Sequence, residues 1–342
     1  MCMDVRVIAL VSLLFVVAAP LAAQTSNPFT TRPVTSAPAA TQAAPDPDRP
    51  YFGDEPIPAL PPVPHPATAT APVEPAREPE IDPSVRRQYD AGMDLLAKGE
   101  LLQSRAQLSE AFFSGKLDAA RQKKALDALT DLAEQTLFSH KVVEGDPYTG
   151  TCQVGRGDTI QRIAEREKLL IHPSFIARVS GADPAKLKVG QTLKLVYGPA
   201  HAVVDKSHFT MDLYLQREGK PKAFVKRLKV GLGKDGCTPE GAWQVVKKAP
   251  HAKWTPPPSA TGGGSIAWGE PGYPLGKEGY WISLQGTDDN TRARTGYGLH
   301  GTNDPDSIGK AASTGCVRLA DEDIELVYGL LSERGSTVTV RK

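Results

Sequence analysis

The sequence predicts a multidomain chain whose largest unit is mainly β. Three observations carry that reading. From residue 201 onward, short runs of alternating apolar residues are separated by Gly and Pro, the pattern of strands and tight turns. Residues 83–140 instead repeat apolar positions near a 3.6-residue period, which is helical. Ahead of both, residues 24–82 form a proline-rich linker, with 15 of the chain's 30 prolines between residues 24 and 80. Such a segment buries too little apolar surface to fold and is expected to be an extended tether.

At 342 residues the chain can form two or three units, each with a core of its own. A formal net charge of +1 and the lack of any dense Lys/Arg run give no electrostatic case for a nucleic-acid partner. At the N-terminus Arg6 is offset by Asp4, an apolar run extends from Val7 to Leu21, and Ala22 and Ala23 precede Gln24. Residues 1–23 therefore read as a secretory signal peptide, since the run is short for a membrane span. The weak positive charge leaves an uncleaved anchor as the alternative, and membrane contact is expected only in that case. Export would leave Cys152, Cys237 and Cys316 in the mature chain. An odd number in an oxidising compartment suggests one pair and one free thiol. No cysteine spacing suits zinc.

Within residues 83–140, Tyr89, Leu95, Leu96, Leu101, Leu102, Leu108 and Phe112 form one stripe, with Gly99 as a turn. Ala125, Leu126, Leu129, Leu132 and Leu137 form another. The segment reads as a helical hairpin or three-helix unit, faintly similar to one tetratricopeptide repeat, and serves packing or docking.

Residues 148–198 follow a different order of signals. Thr151-Cys152-Gln153-Val154 is a short strand, and Asp158 or Thr159 can cap a helix starting near Ile160. Pro173 to Val179 makes a second helix, and Leu187, Val189-Gly190-Gln191, Leu193 and Leu195 a turn and closing strand. The set Val154-x-x-Gly157-Asp158-Thr159-Ile160, Ile163-Ala164 and Leu187-x-x-Gly190-Gln191-x-Leu193 resembles a LysM domain. That resemblance implies a βααβ fold binding glycan that contains N-acetylglucosamine. Asp158 and Thr159 stand where the family lines its groove, although both also suit helix capping.

In residues 201–342 the expected strands lie around Phe209–Leu215, Phe224–Val230, Ala242–Val246, Tyr280–Leu284 and Ser336–Val340. Together they make a β-sandwich or open barrel, with one helix capped by Asp321. The reactive side chains concentrate between Tyr297 and Leu319. His300 lies in Leu299-His300-Gly301-Thr302, and Cys316 in Ser313-Thr314-Gly315-Cys316-Val317-Arg318. A thiol needs a nearby base to act as a nucleophile at neutral pH, and imidazole is the usual one. Gly315 permits a tight turn whose backbone N–H groups can face an oxyanion, and Arg318 offers a forked donor for a carboxylate.

These motifs, with Gly231-x-Gly233-Lys234-Asp235-Gly236 and Thr238-Pro239-Glu240-Gly241-Ala242-Trp243, resemble the YkuD-type L,D-transpeptidases. The resemblance implies Cys316 as nucleophile, His300 as base, and the Gly301 carbonyl as the group that orients the imidazole. It also implies an oxyanion hole from the amides of Gly315 and Cys316, and substrate contacts from Arg318, Ser313, Thr314 and Tyr297. Where many members have a second His before the Gly-Cys pair, this chain has Thr314.

The implied substrate is peptidoglycan, whose tetrapeptide stems would be cross-linked 3→3 with release of D-Ala, in the periplasm or cell wall, and the implied reaction needs neither a metal nor a cofactor. The alternatives are an L,D-carboxypeptidase using water, a non-catalytic wall-binding protein, and a cysteine peptidase. The last is disfavoured by His preceding Cys. With Cys316 reactive, Cys152 and Cys237 are a candidate disulfide, or else two separate thiols. The insertion with Trp254, Pro256-Pro257-Pro258, Gly262-Gly263-Gly264 and Trp268 reads as a lid over the cleft. His208 and His251 read as surface histidines without named partners.

Overall fold

The computed structural model describes residues 81–256 and 264–342. The expected signal peptide and the linker up to residue 80 lie outside those residues, as do Pro257, Pro258, Gly262 and Gly263.

The helical unit has three helices, α1 (Pro83–Ala97), α2 (Leu101–Phe113) and α3 (Ala119–Ala133), and a π-helical turn at Glu134–Phe138 continues the last. The starts of α1 and α3 are set by acidic caps: the Asp82 carboxylate accepts from Ser84 N–H at 3.0 Å, and Asp118 from Arg121 N–H at 2.8 Å. A βααβ module follows, made of β1 (Thr149–Gln153), α4 (Ile160–Arg166), α5 (Pro173–Ser180) and β2 (Thr192–Val196). Its two strands pair antiparallel, and Gly181 ends α5 in the left-handed conformation, at φ 58°.

The remaining elements are β3 (Ala200–Asp205), β4 (Thr210–Leu215), β5 (Ala223–Lys229), β6 (Leu232–Gly233), β7 (Gly241–Ala249), β8 (Trp281–Gly286), β9 (Gly298–Gly301), β10 (Ala311–Ser313), β11 (Val317–Leu319), α6 (Asp321–Leu330) and β12 (Thr337–Arg341). Eight strands form one sheet in the order β11-β9-β8-β7-β12-β3-β4-β5, parallel only at β11–β9 and β12–β3. Beyond β5 the chain crosses to the far edge, where Gly231 and Arg318 exchange both backbone hydrogen bonds, at 2.8 and 2.9 Å. The sheet is therefore nearly closed. Between its edges β6 pairs with β10, the strand that leads into the Cys316 turn.

Several expected bounds shift by a residue, such as Tyr280 just before β8 and Ser336 just before β12, and two of the shifts have a local cause. Phe209 precedes β4 in a left-handed turn at φ 53° rather than opening the strand. Asp321 is the first residue of α6 rather than its cap: the cap is Ala320, and an Asp321 carboxylate oxygen accepts instead from Lys277 N–H at 3.0 Å. With Asp321, Glu322 and Asp323 all in its first turn, the helix N-terminus gains favourable charge without a side-chain cap.

The helices cover the exposed edge of the sheet. Phe224 of β5 is buried among Tyr89, Leu108, Phe112 and Leu129, and its N–H donates to Ser109 Oγ at 3.1 Å. An open edge would otherwise present unpaired amides to a second chain. The βααβ module is fused rather than tethered to the β domain, since Ile176, Leu193, Leu326 and Leu330 belong to one core. His172 N–H also donates to Gly329 O at 2.9 Å. On its other side Lys194, buried on β2, donates to the carbonyls of Thr136, Ser139 and Lys141 at 2.6, 2.7 and 2.9 Å. These are carbonyls that the end of the helical unit leaves free. Burial pulls the Lys194 ammonium down to about 8. A second buried tie is the paired hydrogen bond from Arg105 to Asp146, at 2.6 and 3.2 Å.

Candidate active site

A cleft of about 990 Å³ opens at the β11–β9 edge of the sheet. Tyr297, His300, Ser313, Thr314, Gly315, Cys316 and Arg318 all line it, so seven of the eight residues singled out for the site meet in one place, Gly301 alone lying behind the lining. Register explains the meeting. β9 and β11 run parallel with His300 beside Arg318, and Cys316 occupies the turn just before β11.

His300 is buried, and its Nδ1 lies 2.6 Å from the Gly301 carbonyl oxygen. A carbonyl only accepts, so Nδ1 carries the proton and Nε2 is left as the acceptor. The ring also stacks on Trp281, centroids 5.4 Å apart and planes 13° from parallel. Burial drives the imidazole pKa down to about 4; the Gly301 bond works against that shift and the positive charge of Arg318 adds to it. Burial likewise raises the Cys316 thiol, opposed by the Gly298 N–H and by Arg318. At neutral pH the two groups rest uncharged, a thiol and an imidazole lining the same cleft. Cys316 Sγ is directed to Gly296 O at 3.7 Å.

The Cys316 turn is fixed from both sides. Ser313 Oγ donates to Cys316 O at 2.7 Å and accepts from Gly315 N–H at 3.1 Å. Thr238 Oγ1 donates to Gly315 O at 2.9 Å and accepts from Gly233 N–H at 2.8 Å. Gly315 sits at φ 142°, and a Cβ there would come within 2.8 Å of the Tyr297 ring, so no other residue fits. This corrects one expectation: the Gly315 amide is spent on Ser313 and is not free for an oxyanion. The Cys316 amide has no acceptor among the described residues. Ser313, buried and doubly bonded within the turn, braces it rather than presenting a hydroxyl to substrate.

Thr238 belonged to a recognised motif, but its role was legible only once the turn was folded. Replacing it with the isosteric valine should strand Gly233 N–H and Gly315 O in a buried site. The expected cost is about 2 kcal/mol of stability, with acylation slowed roughly tenfold as the turn loosens. Thermal unfolding and single-turnover kinetics check this; wild-type values for both would exclude the brace.

The cleft is cationic. Lys247 and Lys253 line it with Arg318, whose Nη1 is 3.6 Å from Asp304 Oδ2. The insertion supplies one wall through Trp254, Thr255 and Pro256, pinned where Trp254 and Ile266 exchange two backbone bonds of 2.9 Å. Trp268 does not reach this cleft.

Other expectations fare differently. Cys152 and Cys237 are both free, so the candidate bridge is not formed. Cys152 lies under Arg166, whose Nη2 is 3.3 Å from its sulfur, and Cys237 is exposed beside Thr314. Asp158 accepts from Gly155 N–H at 2.8 Å and pairs with Arg166 at 2.9 Å, while Thr159 caps α4 through Arg162 N–H at 3.2 Å. The two histidines do have partners: His208 Nδ1 lies 2.9 Å from Asp205 Oδ1, and His251 stacks on Trp268 at 3.7 Å.

Comparison with known proteins decides what this site resembles. Residues 199–340 match the YkuD L,D-transpeptidase catalytic domain. YkuD of Bacillus subtilis, whose name assigns it as an L,D-transpeptidase by inference, is 27% identical over 200 residues. That match covers 56% of this chain and 99% of the relative. It is longer than the catalytic domain alone, so it extends upstream into the βααβ module. The Bacillus licheniformis YkuD protein, similarly named, is 28% identical over 196 residues, covering 55% of this chain and 96% of its own. Among solved structures, an L,D-transpeptidase from Mycobacterium smegmatis superposes at a TM-score of 0.31 with 16% identity, covering 57% of this chain and 91% of that one. An L,D-transpeptidase from Stackebrandtia nassauensis superposes at 0.29 with 24% identity, covering 42% and 56%.

Proposed function

We propose that this protein is an exported L,D-transpeptidase that cross-links peptidoglycan stem peptides through a Cys316 thioester. The observation that carries the reading is the shared cleft: Cys316, a His300 held in a single tautomer by Gly301 O, and Arg318 all line it. The Cys316 sulfur attacks the carbonyl carbon of the third stem residue while His300 Nε2 takes the thiol proton. The developing oxyanion is met by the Cys316 N–H. The C–N bond to the fourth residue breaks, His300 returns the proton to the leaving amine, and D-Ala departs. An amine of a neighbouring stem then attacks the thioester, expelling the thiol and forming the 3→3 link. Arg318, Lys247 and Lys253 suit a substrate that carries carboxylates. The βααβ module is read as a LysM unit that binds the glycan, and residues 1–23 as the export signal.

The test is incubation of the protein with disaccharide-tetrapeptide muropeptides, read by mass spectrometry beside Cys316→Ala. Cross-linked dimers lacking one D-Ala, absent in the variant, support the proposal. Tripeptide alone would make the protein an L,D-carboxypeptidase, and no turnover with glycan binding retained would make it a wall-binding protein.

A further inference from the structure

The insertion between β7 and β8 builds a second concavity, of about 410 Å³, which Cys316 does not line. Trp268, Glu270, Tyr273, Lys277, Asn303 and Asp321 line it. Trp268 is 43% exposed, one of three large apolar side chains so exposed among the described residues. A lone exposed indole needs no explanation in general, but this one is held in place. Its ring stacks on His251 with centroids 3.7 Å apart, and its Nε1–H donates to Lys277 O at 2.9 Å.

The loop beneath the indole is equally fixed. Tyr273 OH donates to Ala252 O, Ala267 N–H donates to Glu270 Oε2 at 2.8 Å, and Lys277 N–H donates to Asp321 Oδ1 at 3.0 Å. Each carboxylate uses one oxygen in these bonds and keeps the other as an acceptor. The Asn303 side chain adds an amide donor and acceptor, and Asn303 also lines the Cys316 cleft, so the two hollows adjoin.

We propose that this concavity is a saccharide subsite, occupied by a sugar of the glycan strand whose stem peptide lies in the Cys316 cleft. The proposal rests on the peptidoglycan reading of that cleft. A pyranose presents a face of C–H bonds that packs on an aromatic ring, and hydroxyls that donate to carboxylates at its rim. Glu270 and Asp321 disfavour an anion. Each gives an oxygen to a backbone N–H, and with Lys277 on the same rim the two disfavour a metal cation. The subsite makes the enzyme prefer stems still attached to sugar over free peptide.

Two measurements on the full chain test this. The Nε1–H NMR signal of Trp268, assigned by its loss in Trp268→Phe, should move on titration with peptide-free GlcNAc–MurNAc disaccharide. The other three indole signals report that the fold is intact. This arm needs no turnover, and it reads Trp268 rather than the βααβ module. In kinetics, Trp268→Ala should raise KM for disaccharide-tetrapeptide roughly tenfold and leave free tetrapeptide unchanged, with Trp268→Phe retaining most of the wild-type preference. A Trp268 signal that stays still with disaccharide, or that moves only with free tetrapeptide, overturns the subsite. So do equal losses on both substrates, which would mark Trp268 as a support of the cleft wall. No turnover by wild type on either substrate counts against the transpeptidase reading, while the NMR arm still decides the subsite.

Discussion

Cys316→Ser should lower turnover by a factor on the order of 10³ or more while leaving the melting temperature within a degree or two of wild type. The two side chains are close in size, so the turn braced by Ser313 and Thr238 should survive the change. The chemistry should not. A hydroxyl is far less acidic than a thiol, and the base in this site is a neutral imidazole whose pKa is held at about 4. Such a base is too weak to draw a proton from serine, whereas the Cys316 thiol needs only modest help. Gly298 N–H and Arg318 both favour its thiolate against the opposing effect of burial. Intact-protein mass spectrometry after exposure to a tetrapeptide stem provides the check. Wild type should gain the mass of the stem less D-Ala, and Cys316→Ser should gain nothing. An equal adduct on the serine variant would place the nucleophile elsewhere.

The parts of this site that depend on covalent neighbours were legible in the sequence. Gly315 next to Cys316, and Gly301 next to His300, fix a tight turn and a tautomer through bonds of one or two residues' reach. The period-2 and 3.6-residue patterns likewise placed β4, β5, β7, β8 and β12, the helical unit and the βααβ order close to where they fold, but not β3 or the short strands β6 and β10. What stayed hidden depends on partners far away in the chain. Thr238 reaches Gly315 across 77 positions, Lys194 reaches Thr136 across 58, and Ser109 reaches Phe224 across 115. No local pattern announces such pairs. The Gly315 amide was misassigned because its competitor, the Ser313 hydroxyl, can bond either outward or back into its own turn, and only the folded turn decides. Counting left Cys152 and Cys237 as either a pair or two separate thiols, because it carries no information about distance, and the fold keeps them separate.

His300→Gln should reduce turnover on the order of 10³-fold, and it should also change how stability depends on pH. Glutamine keeps the size and polarity of the ring position but cannot accept the Cys316 proton. In wild type the base stays neutral well below the usual histidine value, so the acid limb of the acylation rate should fall near pH 4 rather than near 6.5. The same shift acts on folding. Between those two values the unfolded chain binds a proton at His300 and the folded chain does not, so stability is fully present above about pH 6.5 and declines as pH falls toward 4. At 1.36 kcal/mol per unit of pKa, the full decline is about 3 kcal/mol. His172 and His201, both lowered by burial, add to the loss in the same direction. Subtracting the variant isolates the share of His300. Urea unfolding at pH 7 and 4.5 should show wild type losing about 2–3 kcal/mol more than His300→Gln. Equal losses, or a wild-type acid limb at 6.5, would mean that the imidazole reaches water and that the neutral Cys316–His300 pair is not the resting state.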